Sequence, residues 1–209
     1  MDELTIIAGR VLRASTTGFT IGCRPTIAEQ SRMTPAFGAL VKALHRDESV
    51  TYGLVYDVRI EDDPFVRQLV AAGVENEEII ADQRQIRQTP VDVDVLVVGH
   101  GRPRAMGSAV MDVFYRLALQ PPGTLDPIYI CNAAEIRRFT ERHDWLRTVL
   151  AATEAPADQL VVAALRAAAA TRSTDQERAA YLISAGRELA RLLALDLARL
   201  DGILQQLRP

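Results

Sequence analysis

Apolar and polar positions follow one rhythm up to Pro127 of this 209-residue chain and another beyond Asn132. In the first stretch short apolar runs are broken by turn residues. TIIAGRVLRA (Thr5 to Ala14) is punctuated by Thr16, Thr17 and Gly18, and FTIGCR (Phe19 to Arg24) follows. Next come AFGALVKAL (Ala36 to Leu44) and VTYGLVYDVRI (Val50 to Ile60). Short β-rich runs interrupted by glycine predict a small, strongly curved barrel and not a flat sheet. VDVDVLVVGHG (Val91 to Gly101) alternates valine with aspartate before turning wholly apolar, the pattern of a strand that enters a core partway along. GSAVMDVFYRLAL (Gly107 to Leu119) fits strand or helix and is read as strand.

A helical insertion over about 62–88 separates these runs. In DDPFVRQLVAAG (Asp62 to Gly73) an aspartate suits the N-cap, Pro64 the first turn and Gly73 the stop. Phe65, Leu69 and Ala72 share a face. NEEIIADQRQIRQ (Asn76 to Gln88) predicts a second helix or an ordered connection. The carboxylates of Glu61, Asp62 and Asp63 read as a helix N-terminus or a solvated face.

Past the connector QPPGTLDP (Gln120 to Pro127) the chain is rich in alanine, leucine and arginine, and Gly186 is the one glycine between Asn132 and Gly202. That shift predicts all-helical structure. Asn132 caps AAEIRRFTERHDWLRTVLAAT, two short helices broken near His143, and Pro156 opens another. Thr174 and Glu177 make a T-x-x-E capping box before a helix running to about Leu207. There Leu189, Leu193, Leu197, Leu200, Leu204 and Leu207 recur at spacings of three and four. Such a stripe serves either the chain's own core or a helical contact with another chain, for which Leu193 and Leu200 are the candidates.

Composition narrows the class. With 48% hydrophobic and 24% charged residues the chain has the make-up of an ordinary globular protein. A net charge of −3 does not steer it toward nucleic acid or an anionic membrane. The start, MDELTIIAGR, lacks a basic segment and an apolar core, and no window reaches the ~18 apolar residues of a bilayer span. A cytoplasmic location without membrane contact is expected. Cys23 and Cys131, far apart, are expected as reduced and mostly buried thiols. Of the 24 basic residues only Lys42 is a lysine, and it stands between Val41 and Ala43, which excludes a P-loop.

Catalytic and metal signatures are missing from the sequence. His45, His100 and His143 gain no second histidine or cysteine at ligand spacing, and no GxSxG occurs. No catalytic residue, metal site or cofactor is assigned. GHGRPRAMG (Gly99 to Gly107) resembles a Gly-rich turn that could cradle phosphate with Arg102 and Arg104. Its plainer reading is a wide barrel loop. Residues 101 to 150 hold seven arginines against five carboxylates, among them Arg137, Arg138, Arg142 and Arg147. Arg138 and Arg142 are read as i, i+4 neighbours on one helix, a basic stripe that is either solvated or meets a partner's carboxylates. Without interleaved aromatics it is no nucleic-acid platform.

The order of these elements resembles the HAS barrel, the small β-barrel of HerA-type DNA-translocating ATPases and, in divergent form, of rotary ATP synthase subunits. The resemblance rests on Gly9-Arg10-Val11 in the first strand, the hairpin at Gly18, Phe37-Gly38, and Tyr52-Gly53-Leu54-Val55. VDVDVLVVGHGRP and LQPPGTLDPIYI look like that family's later strand and proline-marked exit, so the likeness covers about residues 4–130. In the translocases a P-loop ATPase domain follows the barrel. Here a helical tail stands in its place. The resemblance therefore implies ring contacts and partner docking, and carries over neither ATP hydrolysis nor a catalytic residue.

The expectation is an α+β protein: a closed six- or seven-stranded barrel over 1–127 with a helical insertion, then an all-α domain over 128–209. Its expected role is a non-enzymatic docking module, self-associating or bound to a separate HerA-like ATPase or nuclease in DNA processing. One alternative is a cofactor- or nucleotide-binding protein with a pocket between barrel and helices. A second is a direct nucleic-acid binder, which the net charge disfavours.

Overall fold

The computed structural model of the chain describes residues 6–26, 29, 34–73, 76–105 and 111–208. Its strands are β1 (Ile7–Ala14), β2 (Gly18–Cys23), β3 (Leu40–Leu44), β4 (Val50–Ile60), β5 (Val91–Pro103), β6 (Met111–Phe114) and β7 (Pro127–Ile130). They form one antiparallel sheet in the order β2-β1-β7-β3-β4-β5-β6, and β2 pairs again with β5. Six strands thus close into a barrel, with β6 outside it.

Closure depends on the length of β5. Along Val91 to Leu96 it bonds β2 on one side and β4 on the other; farther on it releases β2 and takes β6, His100 standing opposite Phe114. The last barrel strand, β7, lies between β1 and β3, so the barrel ends at Ile130, beyond the expected boundary at 127. Of the 107–119 segment, residues 107–110 lie outside the described residues and only Met111–Phe114 is strand. Tyr115 turns away, and its hydroxyl donates to the Phe139 carbonyl at 2.8 Å.

Alternation along the strands sorts the side chains. Val91, Val93 and Val95 point into the lumen, where they meet Val11, Ile21, Val41, Val55 and Ile128, all buried. Side chains fill the interior of so small a barrel. Asp94 faces the other way. It accepts from Thr20 Oγ1 at 2.5 Å and from an Arg59 guanidinium nitrogen at 2.6 Å, and it is itself 8% exposed. Burial pushes its carboxyl up, but the Arg59 and Thr20 hydrogen bonds outweigh burial and hold it below the usual range. Asp94→Ala strands both donors on the barrel wall. The expected loss is about 1–3 kcal/mol, because Arg59 is partly solvated and keeps Asp57. Urea titration should show it as a lower midpoint at unchanged slope, with Asp94→Asn less affected.

The insertion is helical, as α1 (Pro64–Ala71) and α2 (Glu77–Ile86). Asp63 caps α1, accepting from the Phe65 and Val66 amides, and Gly73 ends it at φ +62°. Asp63 also pairs with Arg87, whose guanidinium lies over the Phe65 ring. The face shared by Phe65, Leu69 and Ala72 does not pack: no α1 residue is buried, and Phe65 and Ala72 are exposed.

After β7 come α3 (Ala133–Phe139), α4 (Trp145–Leu150), α5 (Ala157–Ala170), α6 (Asp175–Leu192) and α7 (Leu197–Leu207). The Thr174–Glu177 capping box is present. The single last helix is not: α6 stops at Leu192, and Asp196 starts α7 by accepting from the Arg199 amide. The Leu repeat runs across this break at unchanged spacing, which hid it. Leu197 is exposed, while the other members face the chain's own core, with Leu193 buried and Leu200 half-buried, so the two candidate contact leucines pack internally.

Outside the barrel, Leu40, Tyr52, Leu54, Leu96 and Val98 join Phe139, Trp145, Leu160, Val161 and Leu165 in one buried cluster. α4 packs on β5 and α5 on β4, and α5 also touches α4, α6 and α7. Its alanines let these neighbours approach closely. The helices are therefore built onto the wall of β3, β4 and β5.

Candidate functional site

Two capping devices shape the corner that carries most of the predicted arginines. Asn132 and Glu135 cap α3 reciprocally, and Glu135 also takes an ion pair from Lys42 of β3. At the other end the Thr140 hydroxyl donates to the Ile136 carbonyl at 2.7 Å, and the chain turns sharply into α4. The corner so formed faces α6 across an open groove. Arg137, Arg138, Glu141 and His143 line one end with Arg172, Tyr181 and Ser184, enclosing about 460 Å³. Arg142 and Asp144 line the other end with Arg187, Glu188 and Arg191. His143 and Ser184 belong to both ends.

The two ends differ in charge compensation. At the second end Arg142 pairs with Asp144 at 2.9 Å, and Arg191 pairs with Glu188. Arg191, with help from His143 and Arg147, holds the Glu188 carboxyl below its usual range. At the first end Arg137 and Arg172 rest on neutral acceptors. Arg137 donates to the Thr171 carbonyl at 2.6 Å. Arg172 stacks over the Tyr181 ring at 3.6 Å and donates to the Ala168 carbonyl and the Thr140 hydroxyl. Among the described residues neither forms an ion pair. Burial, and the nearby Arg137 charge, push the Arg172 guanidinium down from its ordinary value.

His143 sits between the ends, half-buried, its Nε2 3.2 Å from Ser184 Oγ and its ring 5.1 Å from that of Tyr181. Burial pushes its pKa down, Arg172 adds to that, and Glu188 and Asp144 oppose it. Below about pH 6.5 the unfolded chain takes up this proton more readily than the folded one, so stability falls as pH drops from 6.5 toward the depressed folded value. Chemical denaturation at pH 7.5 and 5.5 should show that loss, and His143→Gln should shrink it. An unchanged pH slope in His143→Gln would contradict this assignment.

The structure thus gathers Arg137, Arg138 and Arg142 at one groove, but not as predicted. Arg142 lies past the end of α3, so it is not a helical neighbour of Arg138. Arg147 stands exposed on α4 outside the groove lining. Arg172, Tyr181, Ser184 and Arg187 were not singled out. The spacing of Tyr181, Ser184, Glu188 and Arg191 on one face of α6 was the only available signal, and it does not stand out from any solvated helix.

The described part of the Gly-rich segment is strand and bend. Gly99 to Pro103 are strand, with backbone pairing to β4 and β6, and Arg104 is engaged by Asp112 at 2.8 Å. Arg102 is exposed beside the Arg46–Ser49 turn; residues 106 and 107 lie outside the described residues. Between barrel and helices, Gly38, Leu40, Leu54, Phe139, Trp145 and Ala164 help to line a pocket of about 20 Å³. That space suits about one water and does not accommodate a flavin or nucleotide. Cys23 and Cys131 are free, and burial pushes both thiols up. Among the described residues no cluster of histidine, cysteine and carboxylates has metal-site geometry, and no helix is long and apolar enough to cross a membrane. The chain matches no family model and no curated protein.

Proposed function

We propose that this protein is a non-enzymatic docking and assembly module, acting in the cytoplasm beside a separately encoded HerA-like ATPase or nuclease in DNA processing. One observation carries the reading: a closed six-stranded barrel whose lumen is filled by its own side chains, and whose outer wall carries helices. A barrel filled in this way offers surfaces and holds no substrate. The element order of the HAS barrel supports the choice of partner. In this reading the helices after Ile130 act as an all-α domain fixed to the barrel, and their open face is the docking side. Gel filtration with light scattering, with a pull-down against a HerA-like ATPase of the same organism, tests it. Co-elution or self-association is expected. A strict monomer that captures no such ATPase overturns it.

A further inference from the structure

Six arginines and three carboxylates line the groove between the α3–α4 corner and α6, a local net of +3 on a chain of net −3. Its lining positions on α6 run from Tyr181 to Arg191, about 15 Å at helical rise. Two of the carboxylates, Asp144 and Glu188, already serve Arg142 and Arg191. The uncompensated charge therefore sits at the other end, on Arg137 and Arg172, with Arg187 also outside any ion pair among the described residues. The Arg172 guanidinium is held in place by Tyr181, Ala168 and Thr140, so its side-chain entropy is already spent before anything binds.

We infer that this groove binds an acidic, extended segment of a protein partner, its carboxylates meeting Arg137 and Arg172 at one end and Arg187 at the other. Charge complementarity selects the occupant. A lone small anion in so open a groove stays solvated and gains little from an exposed pair. A nucleic-acid strand would bring uniform negative charge onto Glu141, Asp144 and Glu188, and it would find no exposed ring to stack on, since Arg172 covers Tyr181. A peptide can place carboxylates where the groove is positive and neutral residues where it is not. The inference rests on the docking reading, of which it names the surface and the partner's chemistry.

The test uses a fluorescein-labelled Glu/Ala peptide of about twelve residues, titrated with the full chain and read by anisotropy at low and high salt. Saturable, salt-weakened binding is expected, reduced about tenfold or more by Arg137→Glu and by Arg187→Glu. Arg10→Glu, on the barrel, should leave it unchanged. The emission of Trp145 and the circular dichroism of each variant check that the fold is intact. Inorganic phosphate and a single-stranded oligonucleotide are run beside the peptide. Absent peptide binding, equal loss in Arg10→Glu, or tighter binding of either other anion overturns the inference. If the peptide fails while the ATPase is still captured by the Arg137→Glu chain, the groove assignment falls and the docking reading stands. If the peptide binds as expected but no ATPase is captured, the groove stands and the choice of partner falls.

Discussion

Phe139→Ala is expected to lower stability by about 3–5 kcal/mol, the loss typical of a fully buried aromatic. Phe139 is 1% exposed at the end of α3, with its ring 4.9 Å from Tyr52 of β4 and 5.4 Å from Tyr115. It also fills the space left by Gly99, where a Cβ would sit 3.2 Å from the Phe139 ring. One side chain thus joins the barrel wall, the segment after β6 and the helices. Its removal opens a cavity at their junction, and both aromatic contacts go with it. For a chain of this size the thermal midpoint should fall by roughly 6–20 °C. The single tryptophan, Trp145, lies in the same buried cluster and reports on the same event: its emission should shift to the red as water enters. Phe139→Leu keeps most of the volume and should cost well under half as much. A loss below about 1 kcal/mol for Phe139→Ala would mean that barrel and helices do not share this core.

Gly38→Ala should also be costly, for two separable reasons. Gly38 has φ +82°, a conformation that costs an L-residue about 1–2 kcal/mol. A Cβ there would stand 2.6 Å from the Ala163 Cβ and 3.0 Å from the Ala163 carbonyl carbon, so the turn before β3 would be forced off α5. Overpacking of that kind adds about 1–3 kcal/mol, for an expected total of roughly 2–5 kcal/mol. The two terms come apart in a double-mutant cycle. Ala163→Gly alone costs about 1 kcal/mol of helix propensity. Combined with Gly38→Ala it relieves the Cβ clash but leaves the backbone term and the clash with the helix backbone. A coupling of about 1 kcal/mol in the favourable direction is expected from urea titrations of the four chains. Strict additivity would show that α5 does not press on this turn.

Parts of the fold that obey local rules were legible in the residues. An aspartate, Pro64 and Gly73 bound α1, Asn132 starts α3, and Thr174 with Glu177 starts α6, each as the capping chemistry dictates. The Val/Asp alternation of β5 marked it as a strand, since a strand has period two whatever it pairs with. The α6–α7 break was missed because a continuous leucine spacing masked the Asp196 cap. The β6 region was ambiguous because short apolar runs fit either period.

The groove shows the other side. Arg137, Arg138 and Arg142 were singled out from the local excess of arginine, but their geometry was not. Arg142 leaves the helix at Thr140, and Arg172, Tyr181 and Arg187 arrive from a distant part of the chain. Residues close in sequence thus set where strands and helices begin, how they are capped and which strand face is apolar, because those terms act over a few residues. Closure of the barrel through the β2–β5 pairing, the seating of α4 and α5 on its wall and the uncompensated charge of the groove were decided in three dimensions. Each depends on side-chain volumes and charges brought together from elements far apart in the chain, for which no short-range pattern exists.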